Sequence, residues 1–267
     1  MAIAEPAPAK LNLALHVRGR LPDGRHRIET LFAFCIDGDR VEAEEADRLT
    51  LAINGPFADA LDAEEDNLVL RAARALAERA EIAPHAALTL TKHLPVASGI
   101  GGGSADAAAT LRLLTRMWRA DPKHAADVAA GLGADVPACL LSLTARGDGA
   151  GDVLTLTDDP DIAGTPVLLV NPLQPLSTGE VFARWDGEDR GPLRDWREGR
   201  NDLEAPARAL VPAIGEMLDW LERQGAAVAR MSGSGATCFG LFADDSTRDR
   251  AAATCPRLWW HLATQLR

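Results

Sequence analysis

Tyrosine is absent from this chain, only four of its 267 residues are cysteine, and cations are outnumbered, with 28 lysines and arginines against 39 aspartates and glutamates. The resulting net charge of −11 opposes sequence-independent attachment to nucleic acid or to an anionic membrane, so an anionic ligand has to be gripped by local donors. Cys35, Cys139, Cys238 and Cys255 form no Cys-x-x-Cys pair and have no His-rich neighbourhood. That argues against a zinc site or a disulfide framework, and for buried, reduced thiols. No apolar run approaches the roughly 18 residues of a membrane span. The first ten residues, with Glu5, Pro6 and Pro8, lack the basic and apolar parts of a secretory leader. There is no internal repeat and no low-complexity tract. With 47% hydrophobic and 25% charged residues, the expectation is a cytoplasmic globular protein of one large domain or two closely packed ones.

What the chain does have is a glycine loop opening onto a helix. The run Pro95-Val96-Ala97-Ser98-Gly99-Ile100-Gly101-Gly102-Gly103-Ser104-Ala105 carries four residues without a Cβ, so backbone N–H groups can approach a ligand closely. Behind it, Ala107, Leu111, Leu114 and Trp118 recur at helical spacing, which predicts a helix with one buried face. The unpaired amides and positive dipole end of such a helix attract anions, phosphate above all. No lysine follows the glycines, which excludes the Lys-centred phosphate loop. Ser104 stands where a dinucleotide fingerprint needs its third glycine, and the strand-like Leu88–Lys92 ends too early for that motif. A flexible linker capped by Ser104 is the plain alternative, and the amphipathic helix that follows speaks against it.

Upstream, residues 10–17 alternate with period two. Leu11, Leu13, Leu15 and Val17 share one face, and Lys10, Asn12 and His16 the other, which is either a functional surface or simply a solvated one. A turn at Leu21–Gly24 leads through Arg25 and His26 into a second strand at 30–34. Two further alternating runs lie between Val41 and Ile53. Asn67 precedes a helical run and reads as its cap, and a short helix is expected over 127–132. Gly133 can end that helix, while Asp135, just before Val136-Pro137, is placed either to cap the next one or to do chemistry. Strands are read at 153–156 and 167–170, helices near 178–184, 201–210 and 213–223, and a mobile loop over 186–199. A hairpin at 228–231 and 238–242 is joined by Ser232-Gly-Ser-Gly-Ala-Thr237. This second Gly/Ser loop is either a long turn or the other wall of one anion site.

Three stretches together, Pro8-Ala-Lys-Leu-Asn-Leu, the glycine loop with its Ser104-Ala-Asp-Ala-Ala continuation, and Ser232-Gly-Ser-Gly-Ala-Thr-Cys, resemble the superfamily of galactokinase, homoserine kinase, mevalonate kinase and phosphomevalonate kinase. More narrowly, Asp23-Gly-x-His26, Leu132-Gly-Ala-Asp-Val-Pro137 and Asn201-Asp-Leu-Glu are similar to the 4-diphosphocytidyl-2-C-methyl-D-erythritol kinases of the non-mevalonate isoprenoid pathway. The resemblance spans essentially the whole chain. It implies an α+β, two-lobed fold with the active site in the cleft between lobes, an N-terminal lobe over 1–160 carrying the phosphate loop and a C-terminal lobe over 161–267. It also implies transfer of the ATP γ-phosphoryl group to a 2-hydroxyl, with Mg²⁺ carried mainly by ATP and no dedicated protein metal cage. Lys10 and Asp135 match the catalytic pair, and residues 95–105 match the stretch that wraps the ATP phosphates. Asn12 would hold the acceptor and His26 the cytosine edge. Thr178 and Phe182 match substrate-binding positions, Phe182 stacking on the base. The implied partner is a small molecule with a cytidine diphosphate group, with neither nucleic acid nor membrane, in a monomer or weak homodimer.

The chain departs from that pattern at two points. Arg25 stands where a tyrosine is common, and its planar guanidinium is a candidate to stack on the base instead. Asp152, in Gly149-Ala-Gly-Asp, replaces a longer carboxylate. A kinase for another small alcohol, a dinucleotide-dependent oxidoreductase and a non-catalytic nucleotide binder are the competing readings. The oxidoreductase requires an acidic residue ending a strand about 20 residues past the glycines, where this chain has Met117-Trp-Arg-Ala-Asp-Pro.

Overall fold

The computed structural model describes residues 2–61 and 66–267. Two compact units divide the chain and interleave in sequence: residues 1–9, 37–96 and 101–142 form one, and residues 10–36, 97–100 and 143–267 the other. The cause is the pair of long strands β1 (Ile3–Arg20) and β2 (His26–Glu44), of 18 and 19 residues, well beyond the ordinary five or six. Each gives one part to either unit. The single boundary expected near residue 160 therefore falls inside the second unit.

In the first unit, β3 (Thr50–Asn54) runs parallel to β4 (Ala87–Thr91), and β4 pairs antiparallel with the end of β2, Leu90 opposite Val41. Helix α1 (Leu68–Ala80) starts at Asn67, whose Oδ1 accepts the Val69 N–H at 3.0 Å, so the capping reading holds. Helix α2 (Gly102–Met117) follows the glycine loop as read, but it is not one-faced: every residue from Ala105 to Thr115 except Arg112 is buried. Alanines and threonines leave room for α1, for α3 (Pro122–Leu132) and for α4 (Val136–Leu141) to pack closely around it. Helix α3 starts earlier than expected because Asp121 caps it and Pro122 fits its first position.

In the second unit, the first part of β2 pairs antiparallel with β5 (Ala145–Asp148), which pairs with β6 (Val153–Leu156). A separate antiparallel sheet has the order β10-β7-β9-β8, built from β7 (Pro166–Asn171), β8 (Val228–Met231), β9 (Cys238–Leu241) and β10 (Trp260–Gln265). The helices of this unit are α5 (Thr178–Ala183), α6 (Glu204–Leu210), α7 (Ala213–Arg223) and α8 (Asp245–Ala253). Leu168, Val170, Ile214, Met217, Leu221, Cys238 and Phe242 belong to its buried core. None of the four cysteines is in a disulfide; three of them are buried and Cys255 is half-buried. Among the described residues no helix is long and apolar enough to cross a membrane.

Candidate active site

Strand β1 settles the question its alternation left open. Lys10, Asn12 and His16 are as buried as the leucines, at 2%, 2% and 3% exposure, so the polar face is not a solvated one. Burying such groups is costly unless they are hydrogen-bonded, and they are: Lys10 Nζ donates to Asn12 Oδ1 at 2.9 Å, Asn12 Nδ2 to Thr30 Oγ1 at 2.8 Å, and Thr30 Oγ1 to the Ala14 carbonyl at 2.6 Å. The Lys10 ammonium also lies 5.3 Å from the Phe32 ring centroid, within cation–π range.

The two glycine-bearing loops touch within the second unit, backbone against backbone. Ser232 Oγ donates to the Gly99 carbonyl at 3.0 Å and accepts the Asn12 N–H at 3.1 Å, while the Thr237 N–H reaches the Ser98 carbonyl at 3.0 Å. A Cβ on Gly99 would lie 2.5 Å from the Gly235 carbonyl oxygen and 2.6 Å from that of Ser232, at a φ of +79° that side chains avoid. The Lys10 N–H bonds the Ile100 carbonyl at 2.9 Å, which ties the loop to β1. Asn201 supports the second loop from below, donating through Nδ2 to the Met231 and Gly233 carbonyls at 2.8 Å each.

In the first unit, Gly101 begins α2 in the left-handed region, φ +65°, and offers no capping side chain. The first amides of α2, from Gly102, Gly103 and Ser104, thus meet no side chain acceptor at that cap, the condition for anion binding at a helix N-terminus. Beneath Gly102 lies a buried triad that sequence reading missed: Lys92 Nζ donates to Asp106 Oδ2 at 2.8 Å and to Asp39 Oδ2. Asp39 Oδ1 accepts the His93 and Leu94 N–H groups at 2.6 and 2.8 Å, fixing the exit of β4 just before Pro95. A Cβ on Gly102 would come 3.0 Å from Lys92 Nζ. Burial, opposed by Lys92 and assisted by Asp39, pushes the Asp106 carboxyl up to about 7.

Asp135 occupies the N-cap position of α4 without making a side-chain cap bond. Of the two roles its place in the sequence allows, capping α4 is therefore not the one its carboxylate plays. It is half-buried and stands in the first unit with Pro95, Val96 and Gly101–Ala105, whereas Lys10, Asn12 and residues 97–100 belong to the second.

Around His26 the second unit forms an aromatic cluster. The imidazole stacks on Phe182 with centroids 4.6 Å apart and planes 28° apart, and meets Trp185 edge-on at 5.6 Å and 86°. His26 is thus not the solvated turn histidine that its place in the sequence allowed. Burial, then the nearby Arg20 guanidinium, pulls its pKa below the ordinary value. Its Nε2 is buried with no hydrogen-bond partner among the described residues. Thr178 Oγ1 lies 2.8 Å from Ser234 Oγ, joining the start of α5 to the second glycine loop. Arg25 is exposed, and its guanidinium engages Asp23 at 2.8 Å and Asp152 at 3.3 Å, which gives Asp152 a partner that sequence could not supply.

The chain matches the family models "GHMP kinases N terminal domain" over residues 67–142 and "GHMP kinases C terminal" over residues 188–259. A protein of Rhizorhabdus wittichii named 4-diphosphocytidyl-2-C-methyl-D-erythritol kinase is 54% identical, the match covering 98% of this chain and 94% of that protein. One of the same name from Novosphingobium aromaticivorans is 50% identical over 100% of this chain and 94% of its own length. This chain belongs to the 4-diphosphocytidyl-2-C-methyl-D-erythritol kinase family. A crystal structure of 4-(cytidine 5'-diphospho)-2C-methyl-D-erythritol kinase superposes with a TM-score of 0.85 at 31% identity, covering 100% of this chain and 99% of that one. Homoserine kinase from Cytophaga hutchinsonii, at 16% identity and a TM-score of 0.73 over 99% and 95% of the two chains, shares the fold. The α+β fold of GHMP kinases and an ATP-dependent kinase activity follow for this member of the family.

Two residues of this family member escaped the sequence reading for a common reason. His16 Nε2 accepts the Arg200 N–H at 3.3 Å and its Nδ1 pairs with the Gly191 carbonyl at 3.1 Å, a pattern that fits neutral imidazole with the proton on Nδ1. Burial depresses its pKa accordingly. Asp202 Oδ2 accepts the Val17 N–H at 2.8 Å while Oδ1 takes the Arg200 Nε–H at 2.6 Å. Both hold the 190–202 segment to β1, and both partners lie more than 170 residues away. The local signal for His16 was its place on the polar face of an alternating strand, and Asp202, in the turn before α6, had only its place in the Asn201-Asp-Leu-Glu stretch.

Proposed function

We infer that the protein transfers the γ-phosphoryl group of ATP to the 2-hydroxyl of 4-diphosphocytidyl-2-C-methyl-D-erythritol. The observation that carries this reading is the clamping of residues 98 and 99 against Ser232–Thr237, directly beside the buried Lys10–Asn12 pair. Residues 95–105 wrap the nucleotide phosphates, their glycines leaving amides open where a side chain would block approach. Asp135 takes the proton of the acceptor hydroxyl. The freed oxygen forms its bond to the γ-phosphorus, the bond from that phosphorus to the β–γ bridging oxygen breaks, and ADP leaves. Lys10 neutralises charge that builds on the transferring group, and Asn12 orients the ammonium through their 2.9 Å hydrogen bond.

Mg²⁺ would arrive with ATP and would offset the phosphate charge; the N–H groups of Gly102, Gly103 and Ser104 at the start of α2 suit the phosphates more than the ion. His26, Phe182 and Thr178 hold the cytidyl end of the substrate. His26 Nε2, buried without a partner among the described residues, is the atom that supports this role. Arg25 stacking on the base competes with the hold of Asp23 and Asp152 on its guanidinium. Incubation with labelled ATP and the cytidyl substrate, followed by locating the phosphate on the product, tests the assignment. A product phosphorylated elsewhere, or turnover of mevalonate in preference, overturns it.

A further inference from the structure

The protein is poor in aromatic residues, with six phenylalanines, six tryptophans and no tyrosine in 267 residues. Two of those twelve nevertheless converge on His26. Phe182 lies in the last turn of α5 and Trp185 two residues past its end, in the turn that leaves the helix. The Trp185 N–H bonds the Phe182 carbonyl at 3.2 Å, so the turn that presents both rings is itself fixed. The stacked Phe182 needs nothing but its ring. Trp185 differs, because its indole brings a donor that cannot turn into an acceptor.

That donor is buried, and it has no hydrogen-bond partner among the described residues; neither has His26 Nε2 in the ring beside it. Two unpartnered buried nitrogens in one ring cluster are not what packing selects, since each loses its hydration without replacement. A phenylalanine in place of Trp185 would fill most of the same space without that loss. The other residue considered for the base, Arg25, is exposed and already shared between two carboxylates.

We propose that Trp185 is a specificity-determining residue, its indole Nε1–H and the His26 Nε2 together reading the polar edge of the pyrimidine base of the substrate. The fixed donor meets a ring acceptor, and the unprotonated imidazole nitrogen accepts from an exocyclic amine. An adjacent acceptor and amine is the pattern of cytosine and not of uracil. The inference rests on the reading of the protein as a kinase for a cytidyl-diphosphate substrate, and its test separates the two.

Trp185→Phe keeps a ring and removes the donor. KM for the cytidyl substrate rises about tenfold, while kcat and KM for ATP stay unchanged. Binding of CMP by calorimetry weakens by a similar factor, and the preference for CMP over UMP shrinks. Unchanged substrate KM and CMP affinity in the variant, with wild type active on the cytidyl substrate, leave Trp185 a packing residue and overturn the proposal alone. A wild type that neither turns over that substrate nor binds CMP overturns the functional reading itself. Should the variant fail to fold, the wild-type protein still decides. The indole N–H proton signal with cross-peaks to the His26 ring moves downfield when CMP saturates the protein, and a signal that stays put refutes the proposal.

Discussion

Helices α3 and α4 both begin at an aspartate with a proline one or two residues later, Asp121-Pro122 and Asp135-Val136-Pro137, and the two aspartates do opposite things. Asp121 folds back on its helix, accepting the Lys123 N–H at 3.0 Å; the Lys123 ammonium, then that bond, hold its pKa below the ordinary value. Asp135 makes no such bond. The same contrast separates α1, α5 and α8, closed by the side chains of Asn67, Ser177 and Asp244, from α2, which opens at Gly101 with none. The starts of α6 and α7, at Leu203 and Pro212, also lack a side-chain cap, so an open start by itself does not mark a site. The two starts assigned to chemistry, α2 and α4, leave their first amides for something else.

Substitutions at these starts break or sharpen the contrast. The largest effect belongs to Asp135→Asn, which lowers kcat by about 10²–10⁴ and leaves Tm within about 2 °C of wild type; a Tm drop with kcat retained would show that Asp135 is a cap after all. Next comes Asp106, the aspartate inside α2. Its carboxyl, raised to about 7, keeps its proton in the folded chain where the unfolded chain has lost it. The stability it contributes therefore declines as pH rises from about 4 to about 7. Asp106→Asn flattens that decline, measurable as Tm against pH for the two proteins. Gly101→Asp places a carboxylate where phosphate is to bind and raises KM for ATP about tenfold through lost amide contacts and like-charge repulsion, with kcat less affected. The smallest effect is that of Asp121→Ala, a Tm lower by about 2–4 °C at neutral pH with unchanged kinetics. Because the folded pKa of Asp121 is depressed, its contribution is present above the ordinary carboxylate pKa and disappears as pH falls through the lower, folded one. The Tm gap to wild type accordingly closes in acid.

Much of this was legible in the sequence wherever the signal is local. The period-two run at Lys10–Val17 became β1, the run behind Asn67 became α1, and the residues flanking Ser232–Thr237 became the antiparallel pair β8–β9. Both glycine loops stood out because glycine clusters have a narrow set of uses. Strands β5 and β10 and helix α8 did not stand out. They are short, and α8 is polar with only Ala251 buried, so their periodicity is weak and long-range pairing decides them. The all-round burial of α2 escaped for a similar reason, since alanine carries little periodic signal while fitting any packed face.

The order of residues by itself determined which backbone is free of Cβ atoms, which strand alternates and where helices can start, because these depend on neighbours within a turn or a strand repeat. Only the tertiary structure decided that the polar face of β1 is buried and not wetted, that Lys92 closes on Asp39 and Asp106, and that His26 sits between two rings. Those facts join residues 14 to more than 150 positions apart. The cost of burying a charge or a ring nitrogen is set by what the fold brings against it, which no local pattern records.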